Sequence, residues 1–464
     1  DGGVFPDLMK YSKIIPLFKS GSTFDPSNFR PISVLPTMSK IFEKIILEQL
    51  LNHFYSNNLL HNKQYGFTRG RSTIDAGVDL IKNIFQAWEE SHNALGVFCD
   101  LSKAFDCVEH NTLLRKLHHY GIRGVSLELI KSYLSGRIQK VDVKGKRSSG
   151  VLLNMGVPQG SILGPFLFLV YINDLPKFIE TRHEVVLFAD DTSLLFKIKR
   201  QLEDYDDVND AISRVVHWFS VNNLLLNNKK TKCIKFTTPN VRQVDTNIIV
   251  SGETLELVDS TVFLGITVDS RLQWGPHICK LANRLSSAAF AVKKIRTYTD
   301  EDTARLVYFS YFHSVMSYGI LLWGNAADVE TIFILQKRAI RAIYNMHPRE
   351  SLRDKFKEIK ILTLASQYIF ENLLYVRKNI EEFPRVCDLH NVNTRNKHRL
   401  ALPAARIKKI SNSFRGLGVQ LFNKIPLNVQ LLPVHRFKKT VKERLCNKAY
   451  YKVKDYLLDG TTWE

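Results

Sequence analysis

The chain has 464 residues, of which 45% are hydrophobic and 24% charged. That composition excludes a disordered or fibrous protein and allows two to four folded domains at roughly 100–200 residues each. The net charge of +20 points to phosphate backbones or anionic surfaces as partners.

In chain order, Lys10–Pro36 reads as a basic, turn-rich opening. Apolar positions Ile41, Ile45, Leu47, Leu50 and Leu51 predict a helix over about 39–55, and another is expected over 73–90. Leu95–Asp100 reads as a short buried strand that ends in a carboxylate. A helix at about 111–120 precedes an alternating stretch, Arg137–Val157, that predicts a hairpin. Ser161–Ile172 is an apolar helix. Strands at 184–188 and 193–198 meet at Ala189-Asp190-Asp191-Thr192, and a helix over 208–222 leads to strands at 232–237 and 262–268. The order implies an α+β fold, an antiparallel sheet backed by helices.

Beyond Trp274 helical spacing dominates, over 278–296, 304–318, 332–344 and 364–378. Residues 384–412 read as a basic loop and 436–456 as a basic helix. Residues 275–464 hold 33 Lys+Arg against 16 Asp+Glu, leaving 32 against 29 for the rest. The second part therefore reads as a polyanion-binding surface, with a solubilising shell as the plainer alternative.

The six cysteines show no metal-ligand spacing and read as free thiols of a reducing compartment. The longest apolar run, Ser161–Ile172, is too short to span a bilayer, so no membrane partner is expected. The chain starts at Asp1, in mid-pattern, and is read as a fragment or a mature piece.

The carboxylates carry the chemistry. Joining nucleotides requires a 3′ hydroxyl to attack an α-phosphate, and two divalent ions best hold the charge that develops. Magnesium accepts oxygen ligands and keeps waters and substrate phosphates in its shell, so two or three carboxylates suffice. Asp100 at a strand end and Asp190 in a hairpin turn can converge, with Asp191 as a weaker ligand or an electrostatic support. Alone, Phe188-Ala-Asp-Asp191 reads as well as a solvated turn. Its company changes the reading: Asp100-Leu-Ser-Lys-Ala-Phe-Asp106 upstream, Gly156-Val-Pro-Gln-Gly-Ser161 before the apolar helix, and Asn227-Asn-Lys-Lys-Thr-Lys232 downstream.

This ordered set resembles the reverse transcriptases of non-LTR retrotransposons, LINE elements of the jockey or CR1 kind. It comprises Asn28-Phe-Arg-Pro-Ile-Ser33, Gln64-Tyr-Gly-Phe67 with Arg69 and Ser72-Thr73, the Asp100, Pro158-Gln-Gly-Ser161 and Phe188–Asp191 motifs, Lys230-Thr231 and Phe263-Leu-Gly265. Order and spacing match over roughly residues 5–270. A weaker resemblance continues through Tyr318-Gly319, Trp323-Gly324, Gln336, Arg338-Ala-Ile-Arg341 and Arg395 onward.

The resemblance implies a right-hand polymerase with fingers (1–95), palm (96–274, with a fingers/palm hairpin near 137–157), thumb (275–345) and a basic helical C-terminal region (346–464). It implies that Asp100, Asp190 and Asp191 hold two Mg2+ ions, with Mn2+ as an alternative. Phe105 would sit under the incoming sugar and exclude a 2′ hydroxyl, although plain core packing explains it too. Gln159 and Gly160 would line the nucleotide pocket. Lys19 and Arg30 would meet the triphosphate, with a surface lysine as the plainer reading of Lys19. Lys230 would protonate pyrophosphate, and its neighbours Lys229 and Lys232 keep that choice open. Phe263-Leu-Gly265 would grip the primer or form an ordinary core strand, and Asp106 reads as structural. Lys293, Lys294, Arg296, Lys337, Arg338 and Arg341, and a second cluster of Arg395, Lys397, Arg399, Arg406, Lys408 and Lys409, would track phosphates.

Implied partners are template RNA, a DNA primer, dNTPs and the element's own RNA in a ribonucleoprotein, primed at a nicked DNA target. The implied location is nuclear with a cytoplasmic stage, and an upstream endonuclease domain is expected to be missing from this chain. The rivals are a viral RNA-templated RNA polymerase, which Phe105 opposes, a group II intron maturase, and an inactive relic that binds RNA.

Overall fold

In the computed structural model, the described residues are 2–179, 183–200, 205–238, 247–250, 252–389, 397–461 and 463. The chain divides into two compact units, Asp1–Ala87 with Ser91–Val258, and Trp88–Glu90 with Asp259–Glu464.

The elements up to residue 258 are β1 (Tyr11–Phe18), β2 (Phe29–Val34), α1 (Thr37–Ser56), α2 (Thr73–Glu89), β3 (His92–Cys99), β4 (Leu101–Ser102), α3 (His110–His119), α4 (Val125–Leu134), β5 (Arg137–Val143), β6 (Lys146–Arg147), β7 (Val151–Leu153), α5 (Leu163–Ile172), β8 (Glu184–Phe188), β9 (Asp191–Lys199), α6 (Asp206–Val221), β10 (Leu225–Leu226), β11 (Lys232–Phe236), β12 (Ile249–Val250) and β13 (Glu253–Thr254). The central sheet is antiparallel, in the order β11-β3-β9-β8. A second sheet pairs β1 with β2 antiparallel and with β5 in parallel, and β5 in turn carries β6 and β7.

The core of this unit forms around α5. Phe166, Leu167, Phe168, Val170 and Tyr171 are all buried, so this helix is apolar on every side. Its N-terminus is held by an unusual partner. Glu43 of α1 is fully buried, and its Oε2 accepts from the main-chain N–H groups of Ile162 and Leu163 at 2.8 and 3.1 Å. Ser39 and Tyr133 donate to the same carboxylate. A carboxylate at a helix start satisfies orphan N–H groups and meets the positive end of the dipole.

The second unit begins with β14 (Ser260–Phe263), β15 (Ile266–Asp269) and α7 (Gly275–Tyr298), and is helical thereafter. Helix Val329–Ile343 packs along α7. Buried Gln336 donates to Tyr308 and to the Leu362 carbonyl while its Oε1 accepts from Leu364. Among the described residues no helix is long and apolar enough to cross a membrane, and the six cysteines are free.

The structure corrects several expectations. Lys10–Pro36 is a strand hairpin, because alternating burial along Tyr11–Ile14 is masked by two prolines, Pro16 and Pro31, that face each other across it. α4 follows Gly124, whose φ of +55° breaks the chain sharply after α3, and its pattern in the sequence is weak. Val262–Val268 is two strands that reverse at Leu264-Gly265, both at positive φ. The helix expected over 304–318 runs through a π-helical turn at Tyr308–His313 and stops at Ser317. The C-terminal helix breaks at Ala449, φ +47°, into Val434–Lys448 and Val453–Leu458.

Candidate active site

Strand register brings the three aspartates to one edge of the central sheet. Cys99, the last residue of β3, pairs with Thr192 of β9, so Asp100 and Asp191 follow on adjoining strands. Phe188 pairs with Asp191, which leaves Ala189 and Asp190 as a two-residue turn. Ala189 adopts φ +56°, a left-handed conformation that costs a residue with a Cβ about 1–2 kcal/mol.

The turn is braced by the Gln64–Phe67 motif. Gln64 lies alongside Leu187, Tyr65 N–H donates to the Leu187 carbonyl at 2.8 Å, and Leu187 N–H returns a bond to Lys63 at 3.0 Å. Buried Gln64 accepts on Oε1 from the N–H groups of Gly66 and of Ala189, at 2.8 and 3.2 Å. A Cβ on Gly66 would come within 2.4 Å of the Ala189 nitrogen. Lys63 pairs with Asp79 and with Glu184 of β8 and fastens the segment to the strand. This role escaped the sequence reading, although the motif itself was visible.

Asp100 is braced from another side. Its N–H donates to Thr231 Oγ1 at 3.3 Å, and its carbonyl accepts from Asn227 at 2.8 Å. The Asn227–Thr231 turn is thus tied to the carboxylate it follows by more than a hundred residues. The turn also sorts its lysines: Lys232 is paired with Glu256, while Lys229 and Lys230 are exposed.

Electrostatics show the aspartates as a strained cluster. Loss of solvent, then the Asp100 charge, raises the Asp190 carboxyl above its ordinary range, and Lys19 and Arg30 pull it back. Asp191 has an exposed surface, but surrounding protein still displaces much of its water. That desolvation, with repulsion from Asp190 and Asp100, lifts it to about 6. Lys19 and Arg30 come from the β1–β2 hairpin, where Leu17 pairs with Arg30 and Lys19 N–H bonds the Asn28 carbonyl.

The nucleotide-pocket candidates are stitched to the same framework. Ser33 N–H of β2 donates to the Gln159 carbonyl at 2.7 Å. Gly160, at φ +112°, has no space for a side chain, since a Cβ would lie 2.6 Å from the Ser33 carbonyl oxygen. Gln159 Nε2 donates to the Asp106 carboxylate at 3.3 Å. Burial raises the Asp106 carboxyl, opposed by that hydrogen bond and by Lys103. Phe105 is half-buried and stacks on Phe168 of α5, with ring centroids 4.6 Å apart.

Phe263-Leu-Gly265 belongs to the second unit. Its turn is held by Tyr318, whose hydroxyl donates to the Leu264 carbonyl at 2.7 Å, and a Cβ on Gly319 would strike Ile266 at 2.4 Å. The Tyr318-Gly319 pair and the Phe263–Gly265 turn are one packing node. Of the first basic cluster, Lys293, Lys294 and Arg338 are exposed. Arg296 and Arg341 donate to main-chain carbonyls, and Lys337 pairs with Glu330. In the second cluster Lys409 donates to the Arg271 carbonyl and Arg406 to the carbonyls of Trp88 and Glu89. Lys397 is half-buried, Arg399 and Lys408 are exposed, and Arg395 lies outside the described residues.

Among the described residues no three His, Cys, Asp or Glu side chains converge to close a metal cage by themselves. The donor set nevertheless fits a hard divalent ion. It consists of carboxylates that repel one another, and such an ion takes its remaining ligands from water and phosphate.

An antiparallel sheet whose edge gathers acidic side chains, backed by helices and faced by a cationic hairpin, defines the palm of a right-hand polymerase. The family described as "Reverse transcriptase (RNA-dependent DNA polymerase)" matches residues 18–268, and the chain belongs to it. It is 31% identical over 357 residues to a probable RNA-directed DNA polymerase from transposon BS of Drosophila melanogaster, covering 73% of this chain and 39% of that protein. It is 29% identical over 379 residues to the RNA-directed DNA polymerase from mobile element jockey of the same species, covering 79% and 41%. The chain thus spans about two fifths of the length of these curated relatives. Among solved structures it is similar to telomerase from Candida albicans in complex with a TWJ fragment of telomeric RNA, at a TM-score of 0.46 and 14% identity, covering 80% of this chain and 61% of that one.

Proposed function

We propose that the chain is an RNA-directed DNA polymerase that copies retrotransposon RNA from a DNA primer, at a site built on Asp100, Asp190 and Asp191. One observation carries this reading: three mutually repelling carboxylates share one sheet edge, and Lys19 and Arg30 act on that edge from the opposing hairpin. Two divalent ions bound there, Mg2+ or Mn2+, would supply charge neutralisation at the attacking and leaving oxygens. The protein's own groups do the rest. Lys19 and Arg30 hold the triphosphate, with Arg30 suited to paired contacts on phosphate. Gln159 and Gly160 shape the nucleotide pocket. Phe105, fixed by its stack on Phe168, sits against the sugar and selects dNTPs over NTPs. Lys230 donates a proton to pyrophosphate as it leaves.

Priming at a nicked target, assembly with the element's RNA, an endonuclease supplied from elsewhere in the protein and a nuclear site of action belong to the same proposal. They rest on the family to which the chain belongs.

Primer extension tests the core of it. With an RNA template, a DNA primer, Mg2+ and dNTPs, the chain should extend the primer. Asp190→Ala should lower the rate by roughly 1000-fold or more, the scale expected when charge stabilisation at a transferring phosphate is removed, while RNA binding persists. Extension with NTPs in preference to dNTPs would overturn the role given to Phe105 and the substrate assignment with it.

A further inference from the structure

An open cavity of about 940 Å³ lies in the first unit among α3, the turn Leu175–Phe178 after α5, and α6. Its size is at the upper end for ligand sites, roughly 300–1,000 Å³. None of its lining residues belongs to the acidic edge or to the nucleotide pocket.

Its charge is one-sided. α3 contributes Arg115, Lys116 and His119, α6 contributes Arg214 and His217, and the turn contributes Lys177. The one acid in the lining is Asp174, and Lys116 already engages it at 2.7 Å. Lys116 also donates to the Tyr171 carbonyl and stands 4.7 Å over the Trp218 ring, so it is part of the floor and not a free cation. Arg214 is paired with Asp210. Arg115 is exposed, gives one bond to Thr112 and feels the Glu109 charge, and Lys177 is exposed, so both present a cation at the rim.

The spacing is ordered as well. Arg115 and His119 are one turn apart on α3, and Arg214 and His217 one turn apart on α6. Each pair shares a helix face, about 5.4 Å along the axis, comparable to the separation of neighbouring phosphates on a nucleic-acid strand. Between the two rows the surface is apolar. Phe178 is 52% exposed and Val221 67% exposed, beside buried Trp218 and Tyr120. Phe178 leans on the buried Trp218 ring, with centroids 6.4 Å apart, and keeps its outer face in water beside the basic rim.

We propose that this cavity binds single-stranded nucleic acid, with phosphates on Arg115 and Lys177 and a base stacked on Phe178. Aromatic platforms flanked by cations are how proteins take strands whose bases are free. A duplex has its bases stacked inside and has no use for the exposed ring in a concave site. An acidic peptide would meet the cations equally but would leave the planar surface unexplained. The site is independent of the polymerase reading, because binding is measured without dNTPs and in Asp190→Ala as well as in the native chain.

The test uses the full chain and a 12-nucleotide RNA carrying 5-iodouridine. Photo-crosslinks mapped by mass spectrometry should fall on the segments that hold Phe178 and His217. Arg115→Glu with Lys177→Glu should weaken equilibrium binding of this RNA by roughly 10-fold or more and flatten its logarithmic salt dependence by about one to two units. Phe178→Ala, which leaves the charge intact, should weaken binding by about 10-fold with no change in salt slope. All these side chains are exposed, so melting temperatures should stay at the native value. Extension of a preformed template–primer should also be unchanged. Crosslinks confined to other segments, or native binding by both variants, would overturn the proposal. Occupancy by an acidic aromatic peptide that leaves RNA crosslinking untouched would reassign the cavity to a protein partner.

Discussion

The acidic edge of the first unit and the basic helices of the second hold their charge in opposite ways. At the edge, three carboxylates are crowded, and backbone hydrogen bonds from remote segments fix two of them: Thr231 and Asn227 for Asp100, and Gln64 for the Asp190 turn. In the second unit the exposed cations Lys293, Lys294 and Arg338 are spread over two helices. Chemistry on a phosphate needs charge at a fixed point, because the developing charge is local. Attraction to a polyanion needs charge density, because counterion release depends on the number of cations and little on their placement. Single substitutions should therefore act strongly at the edge and weakly on the helices.

The largest effect expected from a residue that carries no charge is at Gly66. A Cβ there would run into the Ala189 nitrogen, which main-chain movement alone can relieve, so Gly66→Ala should displace the turn that presents Asp190. A shift of about 1 Å at a reacting centre costs about 100-fold in rate. Steady-state primer extension should show that loss in kcat with a nearly native KM for dNTP, and RNA binding should be unaffected. Equal loss of binding and turnover would break the contrast, since it would mean that the brace supports the unit as a whole.

A smaller effect separates function from stability. Asp191 is raised from the ordinary 3.8 to about 6, mainly by desolvation and then by its acidic neighbours. The folded protein therefore holds this proton more tightly than the unfolded chain does. Stability falls as pH rises from about 4 to about 6, and the cost persists at neutral pH. Asp191→Asn should thus stabilise the apoprotein at pH 7.5, by on the order of 1 kcal/mol once solvent screening is allowed for, while it lowers extension. Thermal melts with and without Mg2+ check both halves. The ion should raise the melting temperature of the native chain and do so less in Asp191→Asn. A variant less stable than the native chain would show that Asp191 supports the fold.

The same contrast explains what was legible in the sequence. Asp100, Asp190, Asp191, Gln159 and Gly160 stand in short motifs whose chemistry dictates residue type, so they stand out as candidates in the sequence. The strands around them were equally plain, because burial on both faces writes short continuous apolar runs bounded by turns. The braces were not legible. Glu43 lies in α1 as one of several charged residues, and only its burial against the start of α5 separates it from a surface glutamate. Gln64 and Gly66 stood in a visible motif, but their role depends on a strand more than a hundred residues away. The β1–β2 hairpin was hidden by its prolines, and α4 by a weak pattern between two glycines. In the basic region, charge count was legible and assignment was not. Arg296, Arg341 and Lys409, read as phosphate contacts, spend hydrogen bonds on main-chain carbonyls.

The smallest effects should come from that region. Lys293→Ala, Lys294→Ala and Arg338→Ala each remove one exposed cation, and each should weaken template–primer binding by only about two- to threefold at moderate salt. Their mark is in the slope: every neutralised phosphate contact lowers the logarithmic salt dependence by roughly 0.7–0.9, so the triple variant should lose about two units. Arg296→Ala is the internal control. It donates to the Ile343 and Thr299 carbonyls, so its loss should lower the melting temperature and leave the salt slope unchanged. Fluorescence anisotropy across a salt series reads both. A steep slope change in Arg296→Ala, or none in the triple variant, would mean that phosphate contact follows placement on these helices as strictly as catalysis does at the acidic edge.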